Sequence, residues 1–324
     1  MKKANSASGS SNSTAVAGKK HAKNAAVGKR KGANEEEKTL VESRPHGALL
    51  ARKAVTDTSL SEALIAYKAF VKTASAFEVV DKLSVARLVR AFNTYRRKTI
   101  YTFEAGVNVP QENLRSTMME EFLGWLFKDI FVLLGYSIPD NFRIGKSKSG
   151  YLKLTFAPHS FSNIFLNPNP RISVKNQDFS LGAAFELGIT PDTVGAAEIS
   201  EKVILPVVAV ECKTYLAKNH LDMCSSTATD IKRAMPYCMY IVVCEFLKLD
   251  KTVSPELSDI SEIYVFCKAD NADRKRRKDA GLLAHPIHLG PVQDLFDRVM
   301  GHLKSVWWDP DTALKRGKVI SRPF

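Results

Sequence analysis

Apolar positions recur every three or four residues from about 47 to 105, the spacing of amphipathic helices. One run, Ala66 to Val71, follows the capping-box pattern Ser59-Leu60-Ser61-Glu62. A second, from about Lys82 to Thr99, carries Leu83, Ala86, Leu88, Val89 and Phe92 toward one side. Pro110 is suited to the first position of a third helix, which reaches about Leu134 with Leu114, Met118, Phe122, Trp125 and Leu126 as its stripe and Gly135 as its stop. Residues 141–170, rich in Asn, Pro, Ser and Lys, read as short strands and loops. From Arg171 the period shortens to two. Ile172-Ser173-Val174 and Phe179-Ser180-Leu181 alternate around Asp178, and Gly182 to Leu187 extends them. Val203 to Val210 is nearly continuous in Val, Ile and Leu, as in a strand buried on both faces.

A helix of small residues, Ser225 to Thr229, is then predicted to start at Asp222 or Ser225 and to end before Pro236. Cys238–Cys244 and Ile263–Cys267 predict two more apolar strands, Arg274 to Lys278 a basic loop, and Pro291 the opening of a last helix. The alternation predicts an α/β fold, a mixed sheet flanked by helices, behind an N-terminal helical region.

With 45% hydrophobic and 25% charged residues, the 324-residue chain is ordinary for a globular protein. Three sections are expected: a disordered basic arm over 1–38, almost free of large apolar residues; a helical region over 39–106 able to contact a ligand; and a core over 107–324. No apolar run approaches a membrane span and no apolar leader follows the first lysines, so a cytoplasmic protein without a membrane partner is expected. The cysteines, 212, 224, 238, 244 and 267, are odd in number and lack a CxxC pair, which predicts free thiols in a reducing compartment.

Net charge of +13 favours a polyanionic partner, of which nucleic acid is the commonest. Eight of the 47 basic residues fall in 1–34 without one acid, which leaves 39 against 34 acids in the rest. Cations in the body must therefore cluster to matter. The candidates for phosphate contact are Arg87, Arg90, Arg96, Arg97 and Lys98 on the second helix and Arg274, Lys275, Arg276 and Arg277 in the basic run. Lys146, Lys148 and Lys153 border the same kind of cleft or are simply solvated.

The chemistry gathers at Glu211-Cys212-Lys213, where the most apolar strand ends. Alternation puts Glu211 and Lys213 on one face and Cys212 on the other. Two antiparallel neighbours joined by a long loop would bring Asp178 beside Glu211. Two carboxylates that close repel one another unless a divalent cation lies between them, and Mg²⁺ suits a few carboxylates with several waters. Such an ion polarises a phosphate and acidifies water, and Lys213 would steady the developing charge. Glu121, three residues after Met118 and four before Trp125, sits on or beside the apolar stripe of its helix, with Glu120 as the alternative third acid.

Asp178…Glu211-Cys212-Lys213, with Glu120 or Glu121 as the helix acid, resembles the PD-(D/E)XK nuclease superfamily over roughly residues 110–270. The run Val210 to Tyr215, with Thr227 to Lys232 and Pro236-Tyr237-Cys238, more specifically resembles Type II restriction endonucleases of the Bpu type, whose members cut asymmetric sites. The resemblance implies Mg²⁺-dependent hydrolysis of double-stranded DNA at a defined sequence. It implies a site in which Asp178, Glu211 and Glu120 bind metal and Asp178, Glu211, Lys213 and Glu121 carry catalysis. It also implies a cognate DNA methyltransferase and a homodimer or heterodimer. One departure stands out: Asn176-Gln177, not proline, precedes Asp178, whereas Pro191-Asp192 supplies the literal dipeptide. Asp178 is preferred because it lies in an alternating strand, and Asp192 reads as a turn residue. A structure-specific or repair nuclease of the same fold and a non-catalytic DNA-binding protein are the competing functions.

Overall fold

The period-two stretches pair into one five-stranded sheet. We describe residues 39–105, 113–166, 168–190, 199–305 and 307–320 of a computed structural model; the expected arm over 1–38, Pro110 and Asp192 lie outside them. The strands are β1 (Phe142–Phe156), β2 (Pro170–Ile189), β3 (Ile199–Leu216), β4 (Met239–Leu247) and β5 (Glu262–Val265). They lie in the order β1-β2-β3-β4-β5, with β1–β2 and β2–β3 antiparallel and β3–β4 and β4–β5 parallel. The helices are α1 (Pro45–Thr56), α2 (Ser61–Ser75), α3 (Val85–Ala105), α4 (Leu114–Leu126), α5 (Ile130–Leu134), α6 (Asn163–Leu166), α7 (Lys218–Ala234), α8 (Asn271–Asp279), α9 (Leu289–Leu303) and α10 (Pro310–Arg316). This is the α/β architecture that the sequence predicts, with its helical N-terminal region.

Helix α7 crosses between the parallel strands β3 and β4, and its Leu221, Cys224, Ala228 and Ile231 pack on Ala209, Tyr240 and Val242. The opposite face of the sheet, through Phe179, Leu181, Val208, Val210, Ile241 and Val243, belongs to a larger core. That core runs without interruption into Phe70, Phe92, Phe122 and Leu123, so the N-terminal helices and the sheet share one apolar interior. Helix α4 is buried on nearly every side, as a helix packed between two layers must be.

Several local expectations are corrected. Residues 142–156 form one long strand, because its pairing to β2 continues across three register shifts. The capping box does not form: Asp57 accepts the Ser59 N–H, a 3₁₀ turn over Thr58–Leu60 follows, and α2 starts at Ser61. The third helix begins at Leu114, capped by Asn113, and ends at Leu126; a separate turn, α5, then runs to the left-handed Gly135. Helix α7 starts at Lys218, four residues before Asp222. The basic run Arg274 to Lys278 is helical, because the Asp270 carboxylate caps the N–H of Asp273.

One irregularity sets the register of the central pair. Leu181 pairs with Val208, but Gly182 pairs with Pro206, which leaves Val207 as an extra residue. Proline has no N–H to give to a ladder, and a Cβ at position 182 would lie 2.4 Å from the Leu205 carbonyl oxygen. Glycine lets the strands close over this bulge, and the pairing runs on to Phe179–Val210, where the candidate site begins.

Candidate active site

Beyond Phe179–Val210 the β2–β3 pairing stops, and a side chain takes over from the backbone. The Cys212 N–H donates to Asp178 Oδ2 at 2.8 Å. This bond fixes the Asp178 carboxylate beside Glu211, across the two strands. On β3, Cys212 turns into the core, while the Lys213 ammonium pairs with the Glu211 carboxylate. Both side chains remain partly open to solvent, 24% and 15% exposed. Glu120 reaches the cluster from α4 with a side chain only 7% exposed, paired at 3.0 Å with Lys146 of β1.

These groups feel one another. Burial, then the Glu211 charge, pushes the Asp178 carboxyl above the ordinary range, against the Cys212 N–H, Lys213 and Lys146. Burial and the charge of Asp178 likewise raise Glu120, although Lys146 opposes them. Burial works against the Lys213 ammonium, but the Glu211 carboxylate outweighs it and holds the pKa above the usual lysine value. Lys213 is therefore a cation at neutral pH, suited to donating a hydrogen bond or steadying negative charge.

Among the described residues, no three His, Cys, Asp or Glu side chains already surround a common metal position. The donor set nonetheless fits a hard divalent cation: oxygen ligands only, with Asp178 and Glu120 raised first by burial and then by a neighbouring carboxylate. A cavity of about 540 Å³ adjoins Glu120, bordered by Arg44, Thr117, Lys128, Ile144 and Lys146.

Of the two helix acids, only Glu120 shares the field of the strand acids. Glu121, one residue and about 100° further round α4, is turned into the helical layer. It accepts hydrogen bonds from Tyr67 Oη, Trp125 Nε1 and, at 3.2 Å, the His46 N–H. His46 in turn contacts Thr117 Oγ1 at 2.8 Å and Tyr95 Oη at 2.6 Å, and burial lowers its pKa to about 3, so it is neutral. The expectation that Glu121 joins the strand acids is thus corrected: its oxygens are committed to tying α1, α2 and α4 together.

The basic candidates divide as well. Arg87, Arg90, Arg97 and Lys98 are exposed on α3; Arg87, Arg90 and Lys98 rim a groove of about 550 Å³ floored by Phe70, Phe77 and Tyr95. Arg96 does not join them. Its side chain is 0% exposed and donates from Nε to Glu245 Oε2 at 2.9 Å, with Arg115 3.4 Å from the other Glu245 oxygen. Glu104 extends this buried cluster, pairing with Arg115, with Lys278 at 3.2 Å and with Arg274 at 3.6 Å. Arg274 is therefore drawn inward rather than presented to a ligand. Arg276 pairs with Asp273, Arg277 donates to the Leu283 carbonyl, and Lys275 is exposed. Glu104, Arg115 and Glu245 were not singled out in the sequence. Arg115 follows the apolar stripe residue Leu114 directly, and Glu245 closes an apolar strand.

Comparison with known proteins adds the family. The model of the Bpu10I restriction endonuclease family matches residues 111–319. No curated protein matches the chain. A solved chain from "native BbvCI A2B2 tetramer at low resolution" superposes with a TM-score of 0.60 at 19% identity, over 84% of this chain and 97% of that one. At that identity the likeness speaks for the fold, which is that of a restriction endonuclease.

Proposed function

From the premise that this chain belongs to the Bpu10I restriction endonuclease family, we propose that it is a Type II enzyme that hydrolyses double-stranded DNA at a defined sequence with Mg²⁺. The observation that carries this reading is Asp178 fastened to the Cys212 N–H, alongside the paired Glu211 and Lys213. Asp178, Glu211 and Glu120 are the residues that would hold the ion. When bound, the ion would polarise the scissile phosphate, acidify an attacking water and neutralise the departing oxygen.

The protein's own groups do the rest. The Cys212 N–H on the neighbouring strand orients the Asp178 carboxylate. Lys213, cationic and anchored at Glu211, can turn toward the phosphate as negative charge builds there. Lys146 holds Glu120 at the margin of the site. The exposed cations of α3 and Lys275 are candidates for phosphate contacts that position the duplex.

Among the described residues one chain supplies one such set of acids, and cutting two strands needs either a second set or a set that reorients, of which we propose the first. The chain therefore acts within a homodimer or a heterodimer, consistent with the A2B2 assembly of the structural neighbour. A methyltransferase of matching specificity would protect the host's own DNA. The test is a digest of supercoiled plasmid with purified protein, with Mg²⁺ or with a chelator, and sequencing of the ends. Nicks or breaks at a recurring sequence, abolished by the chelator, are expected. Cutting without sequence preference would point to a structure-specific nuclease. Intact DNA, with binding retained, would point to a DNA-binding protein without catalysis.

A further inference from the structure

Residues 141–177, which span β1, the connection that carries α6 and the first part of β2, contain six basic residues and no acidic one. The distal half of this hairpin is regularly paired: Lys153 with Ser173, Leu154 with Ile172, Thr155 with Arg171 and Phe156 with Pro170. Residues paired across antiparallel strands share a face, and faces alternate along a strand. Lys153, Ser173, Thr155 and Arg171 therefore make one polar, basic face, and Leu154 and Phe156 the other. Lys153 and Arg171 are exposed, and neither has an ion-pair partner among the described residues. Both strands run from this hairpin toward the candidate site, β1 through register shifts between Gly145 and Ser147, between Ser147 and Gly150 and between Tyr151 and Lys153. Lys146 of β1 touches Glu120, and Asp178 of β2 lies seven residues beyond Arg171.

We propose that the β1–β2 hairpin is an arm that lies along the DNA backbone, with Lys153 and Arg171 on phosphates to one side of the cut. This deepens the nuclease reading and rests on it. A paired, polyanionic surface fits a strip that has cations and no acid over this length. The reach is set by geometry: seven residues at about 3.3 Å each separate Arg171 from Asp178 by about 23 Å. That is about seven base pairs at a rise of 3.4 Å.

The test is the double variant Lys153→Ala/Arg171→Ala, compared with wild type and with Lys251→Ala/Lys315→Ala, which removes two exposed lysines elsewhere. DNA affinity is measured from low to moderate salt, and phosphate contacts are mapped by ethylation interference. Removing two phosphate contacts should lower the slope of log affinity against log salt by about 1.8 and leave the control unchanged. It should also erase interference about seven base pairs from the cut, while the melting temperature and the rate at saturating DNA stay at wild-type values. An unchanged slope and footprint, in a wild type that itself binds and cuts DNA, would overturn the arm and leave the nuclease reading standing. A shift in oligomeric state with unchanged DNA binding would overturn it too, and would mark the hairpin as a contact between copies. A wild type that neither binds nor cuts DNA would instead bring down the nuclease reading on which the arm depends.

Discussion

Lys213→Ala is expected to cut DNA on the order of 10²–10³-fold more slowly than wild type while binding it within a few-fold as tightly. The structure gives the reason for that separation. Lys213 is held by Glu211 within the site and is only 24% exposed, so it contributes little to the surface that meets the duplex. In the proposed reaction its charge would act where negative charge develops on the phosphate, an interaction made in the transition state, so its loss should lower kcat and kcat/KM together. Glu211→Ala is expected to do the same, because it removes both a carboxylate proposed to hold the ion and the anchor of Lys213. Single-turnover cleavage alongside equilibrium binding distinguishes the two effects. If Lys213→Ala cuts at the wild-type rate, the assignment of this site fails.

Arg96→Ala is expected to be the most destabilising change of a single basic residue, costing about 3–5 kcal/mol in denaturant unfolding. Arg96 looks like a surface cation in the sequence and is the reverse in the fold. Both it and Glu245 are essentially inaccessible, and Arg96 also donates to the His285 carbonyl. Removing the guanidinium leaves the Glu245 carboxylate with the more distant Arg115 alone. At present Glu245 is held below the ordinary carboxylate range, where burial is opposed and outweighed by Arg96 and Arg115. Acidification through that lowered range should therefore cost stability as Glu245 takes up a proton, and Arg96→Ala should blunt this acid sensitivity. Arg97→Ala, one residue along and exposed, should leave stability within roughly 0.5 kcal/mol of wild type. Equal effects of the two substitutions would contradict the buried cluster.

The contrast between Arg96 and Arg97 shows what the sequence makes legible. Phe92, Arg96 and Ile100 are spaced by four, so the periodicity itself places Arg96 on the apolar stripe of α3, although its charge alone suggests a surface position. Its partner was harder to find, because Glu245 comes from a strand almost 150 residues away and only the folded sheet brings it near. The same holds for the helix acids. Spacing marks both Glu120 and Glu121 as close to the stripe, but α4 is buried nearly all round, so either one could face the strand acids until the neighbouring layers were known. Tyr67 and His46, from α2 and α1, claim Glu121; Lys146, from β1, claims Glu120. The strand ending in Glu211-Cys212-Lys213 was plain from composition and alternation, since a buried strand has one way to alternate. Where β2 turns toward it was not plain, because the Gly182 bulge opposite Pro206 sets that register.

If Asp178 and Glu211 together hold a divalent cation, thermal unfolding with and without Mg²⁺ will report it. At the raised Asp178 carboxyl the fold holds its proton to a higher pH than the unfolded chain does. The stabilisation this gives is complete below the ordinary carboxylate range and is lost as pH rises through the raised value. Carboxylates this close repel one another when ionised, and a bound cation would relieve that repulsion. Wild-type protein should thus melt at a temperature that climbs with Mg²⁺ concentration, as ligand binding to the folded state requires. Asp178→Asn should melt no lower than wild type without metal and show no such climb. An Asp178→Asn protein whose melting temperature follows Mg²⁺ as the wild type's does would contradict this and take the metal away from this pair of strands.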